Sequence, residues 1–285
     1  MELRLSSTNA EIYIPDGKPL KEALNRTTHV GIGAHPDDLE IMAYHGILEC
    51  YNSVEKWFFG IVLTDGAGSP RSGIYGNYSD EEMREIRRKE QKKAAVVGEY
   101  SGVALLNYSS DQVKSPNDVR VKEDLKKILS HMKPETVYVH NIADKHDTHV
   151  AAALRAIEAL RELPQENRPK YLYGCEVWRS LDWLLDEDKV CLDVSQHENL
   201  SIALVNIFDS QISGGKRYNI ATLGRRYANA TYHASHQVDY ATSMIYCMDL
   251  TPLIKNTEEN VKNYVLGYIN RFSADVAKRI ERVGG

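Results

Sequence analysis

His29-Val30-Gly31-Ile32-Gly33-Ala34, running straight into His35-Pro36-Asp37-Asp38-Leu39-Glu40, decides the fold. The small and β-branched residues of the first run suit a buried parallel strand, which need not alternate when both faces are covered. Pro36 stops the strand, because it has no N–H to give to a ladder. From Asp38 to Tyr44 the residues read as the first turns of a helix. An imidazole and two carboxylates therefore stand at the carboxyl end of a central strand, where open α/β sheets bind ligands. Nitrogen beside hard oxygen donors suits zinc or another divalent transition metal. Pro-Asp-Asp is also an ordinary helix start, with an aspartate as N-cap and acidic charge against the helix dipole. What separates the two readings lies further along the chain.

Outward from this junction, strand and helix patterns alternate. Trp57 to Thr64 reads as a second buried strand ending in Asp65-Gly66, and the glycine-rich stretch 66–78 as a long irregular loop, a kind that is usually functional. Ser79-x-x-Glu82 is a capping box opening a charged helix to about Gly98. Val103 to Tyr108 is a third strand, Asn117 to Met132 a helix, Thr136 to His140 a fourth strand, and Thr148 to Leu163 a helix. Such alternation predicts an α/β fold, a Rossmann-like doubly wound and mostly parallel sheet. The expected organisation is a lead-in over 1–27, a catalytic core over 28–165, and a C-terminal extension over 166–285 that completes the same domain.

In that extension, Tyr171 to Trp178 and Lys189 to Val194 look like strands and Glu198 to Gln211 like a helix, while Gly224 to Ala230 has no clear pattern. Val261, Tyr264, Val265, Tyr268, Ile269 and Phe272 recur at helical spacing and predict an amphipathic helix packed on the domain or on a second subunit.

Asp144-x-His146-x-x-His149 follows the fourth strand and leads into a helix, so it reaches the same sheet edge as His35 to Asp38. Asp144 or Asp147 could simply cap that helix. Two histidines with carboxylates, facing a second such cluster, point instead to two half-sites converging on one metal. Amide hydrolysis is one reaction such a centre supports: the metal activates water and polarises a carbonyl, and a neighbouring carboxylate takes the proton.

Composition narrows the class. Of 285 residues, 42% are hydrophobic and 26% charged, as in a soluble globular chain with a large core. A net charge of −5 leaves no electrostatic footprint for nucleic acid. No apolar run approaches the roughly 18–20 residues of a membrane span. The first twenty residues lack a basic-then-apolar signal, so a cytoplasmic setting is expected. Cys50, Cys175, Cys191 and Cys247 form no C-x-x-C pair and are expected to be reduced and buried.

Together, Ala34-His35-Pro36-Asp37-Asp38 and Asp144-x-His146-x-x-His149 resemble the motifs of the LmbE/PIG-L family of zinc-dependent N-acetylglucosamine de-N-acetylases. The likeness covers about residues 28–165. It implies His35, Asp38 and His149 as zinc ligands, a set that ferrous iron can also occupy, Asp37 as general base, and His146 as oxyanion stabiliser. Asp144 is then expected to hold the tautomer of His146 and raise its pKa. The same likeness implies Arg71 and Asp111 as substrate contacts, Arg87-x-x-Glu90 as a structural ion pair, an N-acetylated sugar as substrate, and a homo-oligomer.

The chain departs from the pattern in two places. Asp147-Thr148 replaces the usual Pro-Asp, and Phe208-Asp209-Ser210-Gln211 stands for a His-x-Ser-Gln run. His233 and His236 read better as surface residues than as ligands. A metal-dependent phosphoesterase is the alternative use of such a His/Asp cluster. Gly31-Ile32-Gly33 begins like a dinucleotide turn, but Asp37-Asp38 would repel a pyrophosphate there. A non-enzymatic carbohydrate-binding or scaffold role does not need the intact ligand and base set.

Overall fold

A computed structural model describes residues 3–284. Eight strands form one sheet: β1 (Glu11–Tyr13), β2 (His29–Gly33), β3 (Phe58–Thr64), β4 (Gly102–Tyr108), β5 (Thr136–His140), β6 (Tyr171–Cys175), β7 (Lys189–Asp193) and β8 (Met244–Asp249). Their order is β1-β4-β3-β2-β5-β6-β8-β7. β4, β3, β2, β5 and β6 run parallel, while β1 and β8 pair antiparallel with their neighbours. The chain winds outward from β2 in one direction through β3 and β4, and in the other through β5 and β6. The reversal lies between β2 and β5, and at such a switch point the loops leave in opposite directions and open a crevice. Both halves of the expected metal site leave the sheet there.

β2, β3 and β5 are buried along their whole length, as strands covered on both faces must be. Val30, Ile32, Phe59 and Ile61 face one apolar layer, and Phe58 and Val62 face the other with Leu39 and Tyr44. Leu39 sits where Gly31 and Gly60 have no side chains. A Cβ on Gly31 would lie 2.9 Å, and one on Gly60 2.6 Å, from its methyl carbons. This close approach seats the short helix Asp38–Met42 directly on the strands and thereby fixes the Asp37-Asp38 turn.

Several boundaries differ from the sequence reading. The helix expected over 117–132 is shorter, Arg120–Leu129, and a separate short helix, Ser110–Lys114, precedes it. The strand expected to reach Trp178 stops at Cys175, which frees Val177 and Trp178 to turn over the sheet edge. The expected helix 198–211 breaks at Ile207 and Phe208. Residues 224–230 lie inside a helix, Tyr218–Tyr232. β8 escaped notice, because a six-residue apolar run flanked by polar residues carries no period long enough to identify it. The C-terminal helix Val261–Gly284 buries only Val265 fully, and Val276, Ile280 and Val283 further along it are exposed. No helix among the described residues is long and apolar enough to cross a membrane.

Candidate metal centre and active site

Asp37 occupies the N-cap position of the helix Asp38–Met42 but makes no side-chain capping bond. Its φ of 93° places it in the left-handed region, which costs about 1–3 kcal/mol for an ordinary residue and less for Asp or Asn. The turn is held open from outside. Gln91, on the long helix Asp80–Val97, accepts from the Asp37 N–H at 3.1 Å and donates to Glu40 at 2.8 Å. Arg87, on the same helix, donates to the Pro36 carbonyl and stands 3.4 Å from the Asp37 carboxylate. Gly66, at φ 72°, leaves room for that guanidinium, since a Cβ there would meet Arg87 Nε at 3.0 Å. The expected Arg87–Glu90 pair is replaced by two separate bonds, for Glu90 accepts from Ser210 instead, at 2.7 Å from its N–H. Burial raises the Asp37 carboxyl to about 7, against the pull of Arg87.

Left-handed backbone at Asp37 makes the two aspartates diverge. Three imidazoles converge on the Asp38 carboxylate. His35 Nδ1 is 3.3 Å from Oδ2, His140 Nε2 is 3.2 Å from Oδ2, and His149 Nε2 is 3.4 Å from Oδ1. His35 Nδ1 and His149 Nε2 are 3.2 Å apart. Burial pushes Asp38 up, but His149 and His140 outweigh it and hold the carboxyl well below its ordinary value. His149 is pushed down to about 4 by its own burial. Both shifts favour the forms a metal needs, an ionised carboxylate and a neutral imidazole.

Zinc fits this donor set. Tetrahedral bonds of about 2.0–2.1 Å place ligand atoms about 3.3 Å apart; His35 Nδ1 and His149 Nε2 are 3.2 Å apart, and Asp38 brings Oδ2 to 3.3 Å from the first and Oδ1 to 3.4 Å from the second. All three residues line one cavity, from which water or substrate would reach an ion held there. A second grouping, His140, Asp144 and His149, is fully buried. In it, His140 Nε2 already accepts from the Ala34 N–H at 3.0 Å and Asp144 is committed elsewhere, so it supports the first set rather than forming another.

Asp144 corrects the sequence reading. Its Oδ1 accepts from the backbone N–H groups of Lys145 and His146, while Oδ2 accepts from the Trp178 N–H and faces His149 Nδ1 at 3.4 Å. It therefore orients the ring of His149, not that of His146. Burial, with His35 next, pushes His146 below its ordinary pKa, so it is not the imidazolium expected from sequence. Its Nδ1 is buried without a partner, and its ring lies 5.0 Å from that of His35 and 4.5 Å from that of His149. Carboxylates that orient metal-binding imidazoles typically contribute 10- to 100-fold in metal affinity. Asp144→Asn is accordingly expected to weaken zinc binding by about that factor, read by titration against a competing chelator. Unchanged affinity would mean that His149 is held without it.

His35, Asp37, Asp38, His146 and His149 share one cavity of about 420 Å³, closed on its other sides by the 66–70 loop, Trp178 and Tyr218. Arg71 does not line it: its guanidinium is spent on the carbonyls of Ala67 and Tyr78 and on Asp80. Asp111 is exposed and paired with Lys114, and its neighbour Ser110 reaches the cavity instead. Sequence reasoning missed His140, although a polar residue closing an apolar strand is a usable signal. It also missed Trp178, whose ring has Lys216 Nζ at 4.9 Å and Lys145 Nζ at 5.7 Å. Gln211 also lines the cavity, whereas His236 is exposed and His233 lies by Cys191.

Comparison with known proteins agrees with this geometry. The family model described as PIG-L, GlcNAc-PI de-N-acetylase, matches residues 30–160, the stretch that carries both halves of the site. No curated protein matches the chain significantly. Among solved structures, GalB, the 4-carboxy-2-hydroxymuconate hydratase of Pseudomonas putida, is 17% identical with a TM-score of 0.58, over 82% of this chain and 99% of that one. The N,N'-diacetylchitobiose deacetylase of Pyrococcus horikoshii is 17% identical with a TM-score of 0.58, over 77% and 82%. The A40926 pseudoaglycone deacetylase is 14% identical with a TM-score of 0.57, over 79% and 98%. At these identities the structures share the fold.

Proposed function

We propose that the protein is a zinc-dependent hydrolase that removes the acetyl group from an N-acetylglucosamine-type conjugate or a related small amide. One observation carries the reading: a carboxylate freed from helix capping, Asp37, stands beside three donors spaced for a single ion, all in one cavity. The PIG-L match supports amide hydrolysis. The fold by itself does not select a reaction, since GalB is a hydratase.

His35, Asp38 and His149 would hold the ion, which when bound polarises the amide carbonyl and acidifies water. Asp37 takes the proton of the attacking water, its carboxylate aimed by Arg87 and its backbone fixed by Gln91. A base whose environment moves its pKa toward the working pH is the effective kind. His146 lines the same cavity, beside His35 and His149, as a neutral imidazole. A neutral N–H can donate to a developing oxyanion, less strongly than an imidazolium but with no charge to bury. The Trp178 ring lines the same cavity, with the ammonium groups of Lys145 and Lys216 over it as donors for sugar hydroxyls.

Acetate release from a panel of N-acetylglucosamine conjugates tests the proposal, and no release from any of them by the zinc-loaded protein would overturn it. His146→Ala is expected to lower kcat by about 10² or more while zinc content stays the same. If the variant loses its metal instead, His146 is a ligand. Two ions per chain would favour the phosphoesterase reading and one favours deacetylation, so elemental analysis separates them.

A further inference from the structure

Beside the metal-centre cavity lies a second chamber of about 210 Å³. The two chambers share Ile41, Val177, Trp178 and Tyr218 as common walls. Trp178 and Tyr218 meet edge to face, with ring centroids 6.0 Å apart. Ala221 and Ile245 complete the apolar lining.

The charged residues around this chamber, Glu176, Arg225 and Arg226, are bonded within the protein. Glu176 accepts from the N–H groups of Leu181 and Tyr246 and from Asn229. Arg225 donates to the Val177 carbonyl. Arg226 spends Nη1 on Ser201 and Nη2 on the carbonyls of Glu40 and Ile41. Its Nε is the one buried side-chain atom of this lining left without a partner. One N–H cannot satisfy a sugar, whose hydroxyls all need partners when buried. The chamber suits an apolar group.

We infer that this chamber receives the acyl chain of the substrate, and that the chain is longer than acetyl. The inference rests on the amidohydrolase reading above and names its substrate more closely. Ile41 follows Asp37 by four residues and Asp38 by three, one turn along the same helix, so the wall it gives to the chamber stands one turn from the proposed base and ligand. A carbonyl carbon in an amide has two substituents. The nitrogen and its sugar fit the larger chamber, which is open and lined by polar groups. The second substituent then has the apolar chamber. An acetyl methyl would leave nearly all of it unfilled, whereas it has about seven times the ~30 Å³ that one water takes up in the liquid. Since a methylene is of similar size, a chain of roughly six to eight carbons fits.

Wild-type, zinc-loaded protein is assayed for amine release from N-acetyl-, N-butyryl-, N-hexanoyl- and N-octanoylglucosamine, and from the octyl glycoside of N-acetylglucosamine. Burying a methylene contributes about fourfold, so kcat/KM should climb about fourfold per added methylene to six or eight carbons and then level off. In calorimetry, zinc-loaded Asp37→Asn protein should bind the octanoyl compound more tightly than the acetyl one by a similar overall factor. Ala221→Phe, an exposed position at the chamber wall, should bring the octanoyl-to-acetyl ratio of kcat/KM back toward one with an unchanged melting temperature. Hydrolysis of the acetyl compound with no gain along the acyl series overturns the chamber assignment and spares the amidohydrolase reading. A gain confined to the octyl glycoside also overturns it, since the chamber would then take the aglycone. Hydrolysis of none of the compounds overturns the parent reading, and this inference with it.

Discussion

Asp37→Asn should bind zinc normally and lose most of kcat, by about 10² to 10⁴, the range for a missing general base. The substitution is unusually clean at this position. Asparagine tolerates left-handed backbone as well as aspartate does, so a φ of 93° is no obstacle. The turn does not depend on the Asp37 carboxylate, because it caps nothing and the backbone N–H is held by Gln91. Arg87 keeps its bond to the Pro36 carbonyl in the variant. What disappears is the capacity to take a proton. Asp38→Asn should behave differently. Its carboxylate faces three imidazoles and also accepts from the His35 N–H at 2.6 Å. An amide can keep that last bond but is a poor ligand, so zinc affinity should fall first and activity should return in part with excess zinc. Elemental analysis after dialysis and kcat at saturating zinc separate the two. A metal-poor Asp37→Asn beside a metal-replete, inactive Asp38→Asn would mean that the two aspartates have exchanged jobs.

Both halves of this site could be read from the sequence because each is local. A buried strand, a stop, and a polar cluster within five residues place His35 and Asp38 at one edge, and the same logic places His146 and His149 beside them. Parallel strands around a switch point then bring the two clusters together whatever the loops do. The walls of the cavity followed no such rule. Trp178 and Tyr218 reach the site from the C-terminal part of the chain, and nothing near them in sequence announces it. Arg71 was the nearest arginine after β3, yet Asp80 and two carbonyls were closer to it than the cavity. Asp144 shows the same limit on a smaller scale. Two residues from His146 and five from His149, it could have served either ring, and only the path of the helix that starts at Asp147 selects His149.

That selection bears on the last expectation, that His149→Ala loses zinc more completely than His35→Ala. His149 is 1% exposed, set by Asp144 on one ring nitrogen and stacked on His140 with centroids 3.8 Å apart. A ligand so fixed loses little freedom on binding the ion, and its neighbours cannot move to replace it. His35 is half-buried at the cavity wall, where water can take its coordination position at lower cost. Both variants should hold substoichiometric zinc after dialysis, with His149→Ala near zero. Melting curves give an independent reading, since a ligand at 100 times its Kd stabilises the folded state by about 2.7 kcal/mol. The wild-type melting temperature should rise with added zinc, that of His35→Ala should rise only at higher zinc, and that of His149→Ala should not move. Full zinc retention in both variants would sink the ligand assignment. Retention in His149→Ala alone would move the ion toward His35 and leave Asp144 without a role in holding it.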